Sequence, residues 1–164
     1  IIFAGLLGVL WIWMAKKKIE PNTVVKFGLG FLFLAAGFWI FYYTKFFASA
    51  DGKTSLNLFT FGWFVITFGE LCLSPIGMSA MTKLSPQKLQ AVIMGMWFLA
   101  SAYGQYFAGL LGANIASASE NATNSEKLNV YADGYQQLAI YALLAGVILI
   151  VISPFVKKLM QEVK

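Results

Sequence analysis

A single carboxylate, Glu70, stands near the middle of an apolar run at residues 58–81 (LFTFGWFVITFGELCLSPIGMSAM). As a helix rising about 1.5 Å per residue, that run reaches roughly 36 Å, enough to cross a hydrocarbon core of about 30 Å. Glu70 then lies near the bilayer midplane. Holding a charge there costs at least about 2.5 to 3.5 kcal/mol, so such an acid normally faces protein or water and has a task. A chain built around it is expected to be an all-α integral membrane protein.

Composition supports that class. The chain is 59% hydrophobic and only 12% charged, about half the charged share of a soluble domain. Its formal charge of +5 comes from lysines at the ends of apolar runs, which reads as membrane topology rather than nucleic-acid binding. Cys72 is the one cysteine and there is no histidine, so neither an intrachain disulfide nor a histidine metal site is expected. No metal cluster, phosphate loop or nucleophile triad is visible, and no enzyme is expected.

In chain order, residues 1–15 read as the end of a longer helix, being too short to span alone. Lys16, Lys17 and Lys18 follow, then a polar connection with Pro21 near the next helix start. Full spans are expected at about 24–47, 58–81, 90–116 and 135–157, giving four transmembrane helices plus the end of a fifth. Ser85 and Pro86 serve as N-cap and first-turn residues of the third full span, and 117–134 is a long polar, acidic connection. Nine lysines fall on one side (Lys16, Lys17, Lys18, Lys26, Lys83, Lys88, Lys157, Lys158 and Lys164) and three on the other (Lys45, Lys53 and Lys127). The nine-lysine side, including the C-terminus, is expected to be cytoplasmic. Asn121 and Thr123 fit a glycosylation acceptor on the outer side, and Lys16 to Lys18 more simply set topology than bind anionic lipid.

Helical spacing brings Ile66, Thr67, Ser74 and Gly77 broadly onto the face of Glu70. Pro75 removes an N–H and crowds the Leu71 carbonyl, so a hinge is expected about one turn beyond the acid. The bland alternative is a kink that only improves packing, with Glu70 held in a structural pair by a lysine or arginine not seen in these residues. In the following helix, Ala100, Gly104, Ala108 and Gly112 form a small-residue packing ladder. Trp97, Ser101 and Gln105 form a second stripe, whose tryptophan is either core, lipid-facing or a ligand contact.

The stretches FGELCLSPIGMSAMTKLSP and MGMWFLASAYGQYFAGLL, with EPNTVVKF upstream, resemble the proton-dependent oligopeptide transporters, a branch of the major facilitator superfamily. The resemblance covers the whole chain as the end of helix eight through helix twelve. It implies the C-terminal helical bundle of such a transporter, with the N-terminal bundle, and the sites for proton coupling and the peptide carboxylate, outside these residues. It implies that Glu70 of the GELxxSP motif meets a peptide's terminal amine, that Ser74 lies beside it, that Trp97 of the GMWF motif lines a side-chain pocket, and that Phe98 is a gate contact. It further implies di- and tripeptides as substrates and protons as coupling ion with no other cofactor. The short 48–57 loop resembles bacterial members, placing the protein in the inner membrane. A carrier of another small solute such as nitrate, or a non-transporting helical scaffold, are the competing expectations.

Overall fold

Each apolar run folds as a helix in the computed structural model, which describes residues 2–49, 51–115 and 122–159. Helix α1 spans Ile2–Lys16, α2 Thr23–Tyr43, α3 Leu56–Leu84, α4 Gln90–Ile115 and α5 Asn124–Leu159. Among these, α2 with its 3-10 extension Thr44–Phe47, α3 and α5 are long and apolar enough to cross a membrane. Helix α4 has the length but is diluted by glycine, serine, glutamine and tyrosine, a composition suited to facing protein or water on part of its surface. The fold is thus an all-helical membrane bundle.

Helix α2 is the spine. It begins where Asn22 Oδ1 accepts a hydrogen bond from the Val25 N–H at 2.8 Å, satisfying one of the orphan donors at a helix start. It then packs between α3 and α5. In lipid the apolar surfaces of helices gain little by meeting each other, so close association depends on small residues that let backbones approach. Here those residues repeat at seven-residue intervals. Gly30 and Gly37 of α2 face Gly69 and Gly62 of α3: a methyl group on Gly30 or Gly37 would stand 3.1 Å from the carbonyl oxygen of Gly69 or Gly62 respectively. Gly28 meets Gly146 of α5 in the same way, at 3.1 Å from its carbonyl oxygen. Ala132, Ala139, Gly146 and Ser153 form the buried seam of α5. A seven-residue repeat, 3.5 residues per turn, keeps a seam in contact only if helices cross with a left-handed twist.

Helix α1 leans on α3 through Phe3, whose ring stacks edge-on with Phe64 and Phe68 at 5.2 and 5.3 Å. At the end carrying Lys16 to Lys18, the buried Lys26 pairs with Glu20 and lies 4.7 Å from the Trp11 ring. At the opposite end Lys45 donates to Asp133 at 2.9 Å and sits 4.1 Å from the Tyr42 ring. Gly52, at φ +73°, brings its turn against the start of α5, where a side chain would strike the Asn124 backbone at 2.8 Å. Only glycine combines that dihedral with that approach.

Two local expectations change. The polar connection ends earlier than its composition suggests, because α5 already begins at Asn124. Thr123 and Glu126 form a reciprocal capping box: the Thr123 N–H donates to Glu126 Oε2 at 2.7 Å and the Glu126 N–H to Thr123 Oγ1 at 3.3 Å. The T-x-x-E spacing is in the sequence; polarity masked it. Thr123→Ala is expected to fray this end, seen as faster amide hydrogen exchange over residues 124–127 with slow exchange kept around Ala139. Unchanged exchange would mean that the box does not hold the helix start. Ser85, in turn, ends α3 rather than opening the next helix: its hydroxyl donates to the Thr82 carbonyl at 3.3 Å, and Pro86 caps a 3-10 turn, Gln87–Leu89, ahead of α4. Asn121 of the glycosylation motif lies outside the described residues.

Candidate functional site

The α3 stripe facing α2 consists of Gly62, Ile66, Gly69 and Leu73. Each residue turns a helix by about 100°, which sets Glu70 on the flank of that stripe, with Thr67 and Ser74 further round. Accordingly Ile66 is buried while Thr67, Glu70 and Ser74 are exposed. The polar group expected from spacing therefore divides: Ile66 belongs to the packed seam, and Glu70, Ser74 and Thr67 share an open face. The Thr67 hydroxyl is turned back onto the Trp63 carbonyl at 3.0 Å, whereas Glu70 and Ser74 make no side-chain hydrogen bond among the described residues.

Among the described residues no lysine pairs with Glu70, and it makes no hydrogen bond there; the ion pairs Lys26–Glu20 and Lys45–Asp133 sit at the helix ends. Among the described residues, then, no ion pair accounts for the acid. An ionised carboxylate is an acceptor of up to about four hydrogen bonds. Glu70 presents that capacity on an open face.

Helix α4 meets α3 at Gly77, seven residues and about 10.5 Å along the axis from Glu70 on the same face. There the indole of Trp97 rests on the glycine. Trp97 is half-buried, whereas Phe98 is 60% exposed. Ser101 closes onto the Trp97 carbonyl at 3.0 Å. Trp97 thus meets α3 at Gly77, which helical geometry sets on the Glu70 side of that helix. Pro75 is exposed within an unbroken helix; its missing N–H leaves the Leu71 carbonyl without its intrahelical donor. The ladder of Ala100, Gly104, Ala108 and Gly112 is exposed, and Gly104 and Gly112 have nothing within 4 Å. Within this chain, close packing runs along α2 instead. Sequence reasoning placed Gly77 on the correct face without its contact, because the partner indole comes from another helix.

Residues 1–131 match the family model described as the POT family. The chain is 32% identical over 159 residues to the peptide transporter YePEPT of Yersinia enterocolitica, and 31% identical over 158 residues to the di-/tripeptide transporter of Lactococcus lactis subsp. cremoris; each alignment covers 93% of the chain. It spans 29% of the length of either relative. Among solved structures, a bacterial homologue of the human drug peptide transporters PepT1 and PepT2 superposes with a TM-score of 0.68 at 28% identity, over 96% of this chain and 32% of the other. Tetrameric PepTSo2 gives 0.71 at 27% identity, over 96% and 31%. With four-fifths of its residues matched by the family model and the same helical arrangement as these transporters, the chain belongs to the POT family.

Proposed function

We propose that this chain forms the C-terminal helices of a proton-coupled symporter of di- and tripeptides, a transporter rather than an enzyme, seated in the bacterial inner membrane with its C-terminus cytoplasmic. The observation that carries the reading is Glu70: a mid-span carboxylate on an open face, with no ion partner among the described residues. The names of the relatives, a peptide transporter and a di-/tripeptide transporter, support the substrate class.

In this reading a peptide's terminal ammonium donates to the Glu70 carboxylate, a charge-assisted bond strengthened where water is partly excluded. Ser74, one turn on, offers a hydroxyl that both donates and accepts beside it. Trp97 gives an apolar indole wall that takes side chains of varied shape, and Phe98 borders the opening. Helices supplied by the N-terminal bundle complete the cavity, with the peptide-carboxylate site and the proton relay. Protons are the coupling ion, driven by the gradient and by a membrane potential worth about 2.3 kcal/mol per charge per 100 mV. Alternating access moves one bundle against the other, and Pro75 is the hinge within α3.

The test is uptake of labelled dialanine by the transporter carrying these residues, reconstituted in liposomes. Accumulation that requires an inward proton gradient and collapses with a protonophore is expected. Gradient-driven uptake of nitrate without peptide would move the protein to another solute, and no uptake of either would leave a helical scaffold.

A further inference from the structure

Gly77 is buried, and a methyl group built on it falls within 3.0 Å of three carbons of the Trp97 indole: Cη2, Cζ2 and Cζ3. By contrast, Cβ positions built on Gly95, Gly104, Gly109 and Gly112 of α4 have nothing within 4 Å. Trp97 is half-buried while every residue from 98 to 113 is exposed, so the indole is the part of α4 inserted against α3 at this level. The backbone under it has little room to retreat, since Leu73 and Gly69, about one and two turns earlier, are pressed onto Gly30 and Leu34 of α2.

We propose that Gly77 is a positioning residue for peptide selectivity: by lacking a side chain it seats the Trp97 indole against α3 and so sets how much room the side-chain pocket keeps. The inference rests on the reading of Trp97 as a wall of that pocket. Ordinary contact begins at 3.4 Å, so a methyl at position 77 requires one partner to yield. The indole turns on two torsions, whereas α3 is held by α2. The ring is the group that moves, off α3 and toward the open face shared by Glu70 and Ser74, where it occupies space intended for a substrate side chain. One methylene of misfit in an apolar pocket changes discrimination by about 10- to 200-fold.

The experiment compares transport efficiency for a phenylalanine-containing dipeptide with that for dialanine, in the whole transporter. Gly77→Ala is expected to lower the phenylalanine-to-alanine ratio about tenfold, chiefly through KM for the bulky peptide. Adding Trp97→Ala is expected to erase that effect, so that the double variant equals Trp97→Ala alone. A ratio unchanged by Gly77→Ala, or the same further drop in the Trp97→Ala background, overturns the inference. If Gly77→Ala does not reach the membrane, restoration of folded protein by Trp97→Ala supports the ring contact, and failure to restore it overturns it. Trp97→Ala alone separates the two levels. A selectivity unmoved by that change removes the pocket reading itself; a shift there with none from Gly77→Ala removes only the role of Gly77.

Discussion

Replacing Glu70 by alanine is expected to reduce dipeptide uptake by roughly 10- to 100-fold while leaving the protein as stable as before. The loss follows from one charge-assisted hydrogen bond, worth about 1.5 to 3 kcal/mol. The unchanged stability follows from the structure: Glu70 has no partner among the described residues and lies on an open face, so its removal breaks no contact there. Glu70→Gln, which keeps an acceptor oxygen but neither charge nor an exchangeable acidic proton, is expected to fall between the alanine variant and the native protein. Initial uptake rates across substrate concentration, normalised to folded protein, measure the first effect, and thermal unfolding in detergent measures the second. A structural ion-pair residue gives the opposite pattern, with melting temperature lost and uptake retained in the surviving protein. Full uptake in both variants removes Glu70 from the site.

The largest effect on stability is expected at Gly69. A side chain there would stand 2.8 Å from the Gly30 carbonyl oxygen of α2, with Leu34 at 3.2 Å. The obstructing atom is backbone, so no rotamer change makes room. Gly69→Val is expected to destabilise by about 1 to 3 kcal/mol, the range for overpacking, and to lower the melting temperature and the yield of monodisperse protein. Gly62→Ala, where the nearest obstruction is the Phe41 ring, is expected to do less because a ring can turn. Equal melting temperatures for Gly69→Val and the native protein would contradict the close α2–α3 seam. The placement of Glu70 depends on that seam, since the packing of Gly62, Ile66 and Gly69 against α2 fixes which side of α3 the acid faces.

Much of this arrangement was legible in the residues because a membrane imposes simple rules. Apolar length locates the helices, and the mid-span carboxylate stands out at once; spacing alone grouped Ile66 with Glu70 and Ser74, and only the packing against α2 separates the buried Ile66 from the exposed Glu70 and Ser74. Three further things were not legible, each for a different reason. The first turns of α5 are polar, so a hydropathy reading passes over Asn124 to Gly134, although the Thr123–Glu126 box announces a helix start. The seams that bring helices together lie at seven-residue intervals, in Gly30 with Gly37, Gly62 with Gly69, and Ala132 through Ser153. The more conspicuous four-residue ladder, Ala100 to Gly112, draws attention to α4, where Gly104 and Gly112 face open space. The seat of Trp97 on Gly77 joins two helices across a turn, and no spacing within one helix encodes it.

These features divide the segment by task. Helices α2, α3 and α5 form a closely packed body, and α4 joins it through contacts that include Trp97 on Gly77 and the Gln90 amide on the Thr82 carbonyl. On the side where α4 joins, α3 displays the one carboxylate of its length. A peptide ammonium is the group that this acid is proposed to receive. The direct measurement of that claim is competition for dialanine uptake by free and N-acetylated dialanine. The free peptide is expected to compete, the acetylated peptide, having no ammonium, to compete at least about tenfold more weakly, and this preference to shrink in Glu70→Gln. Equal competition by the two peptides in the native transporter, or a preference undiminished in Glu70→Gln, would contradict that claim.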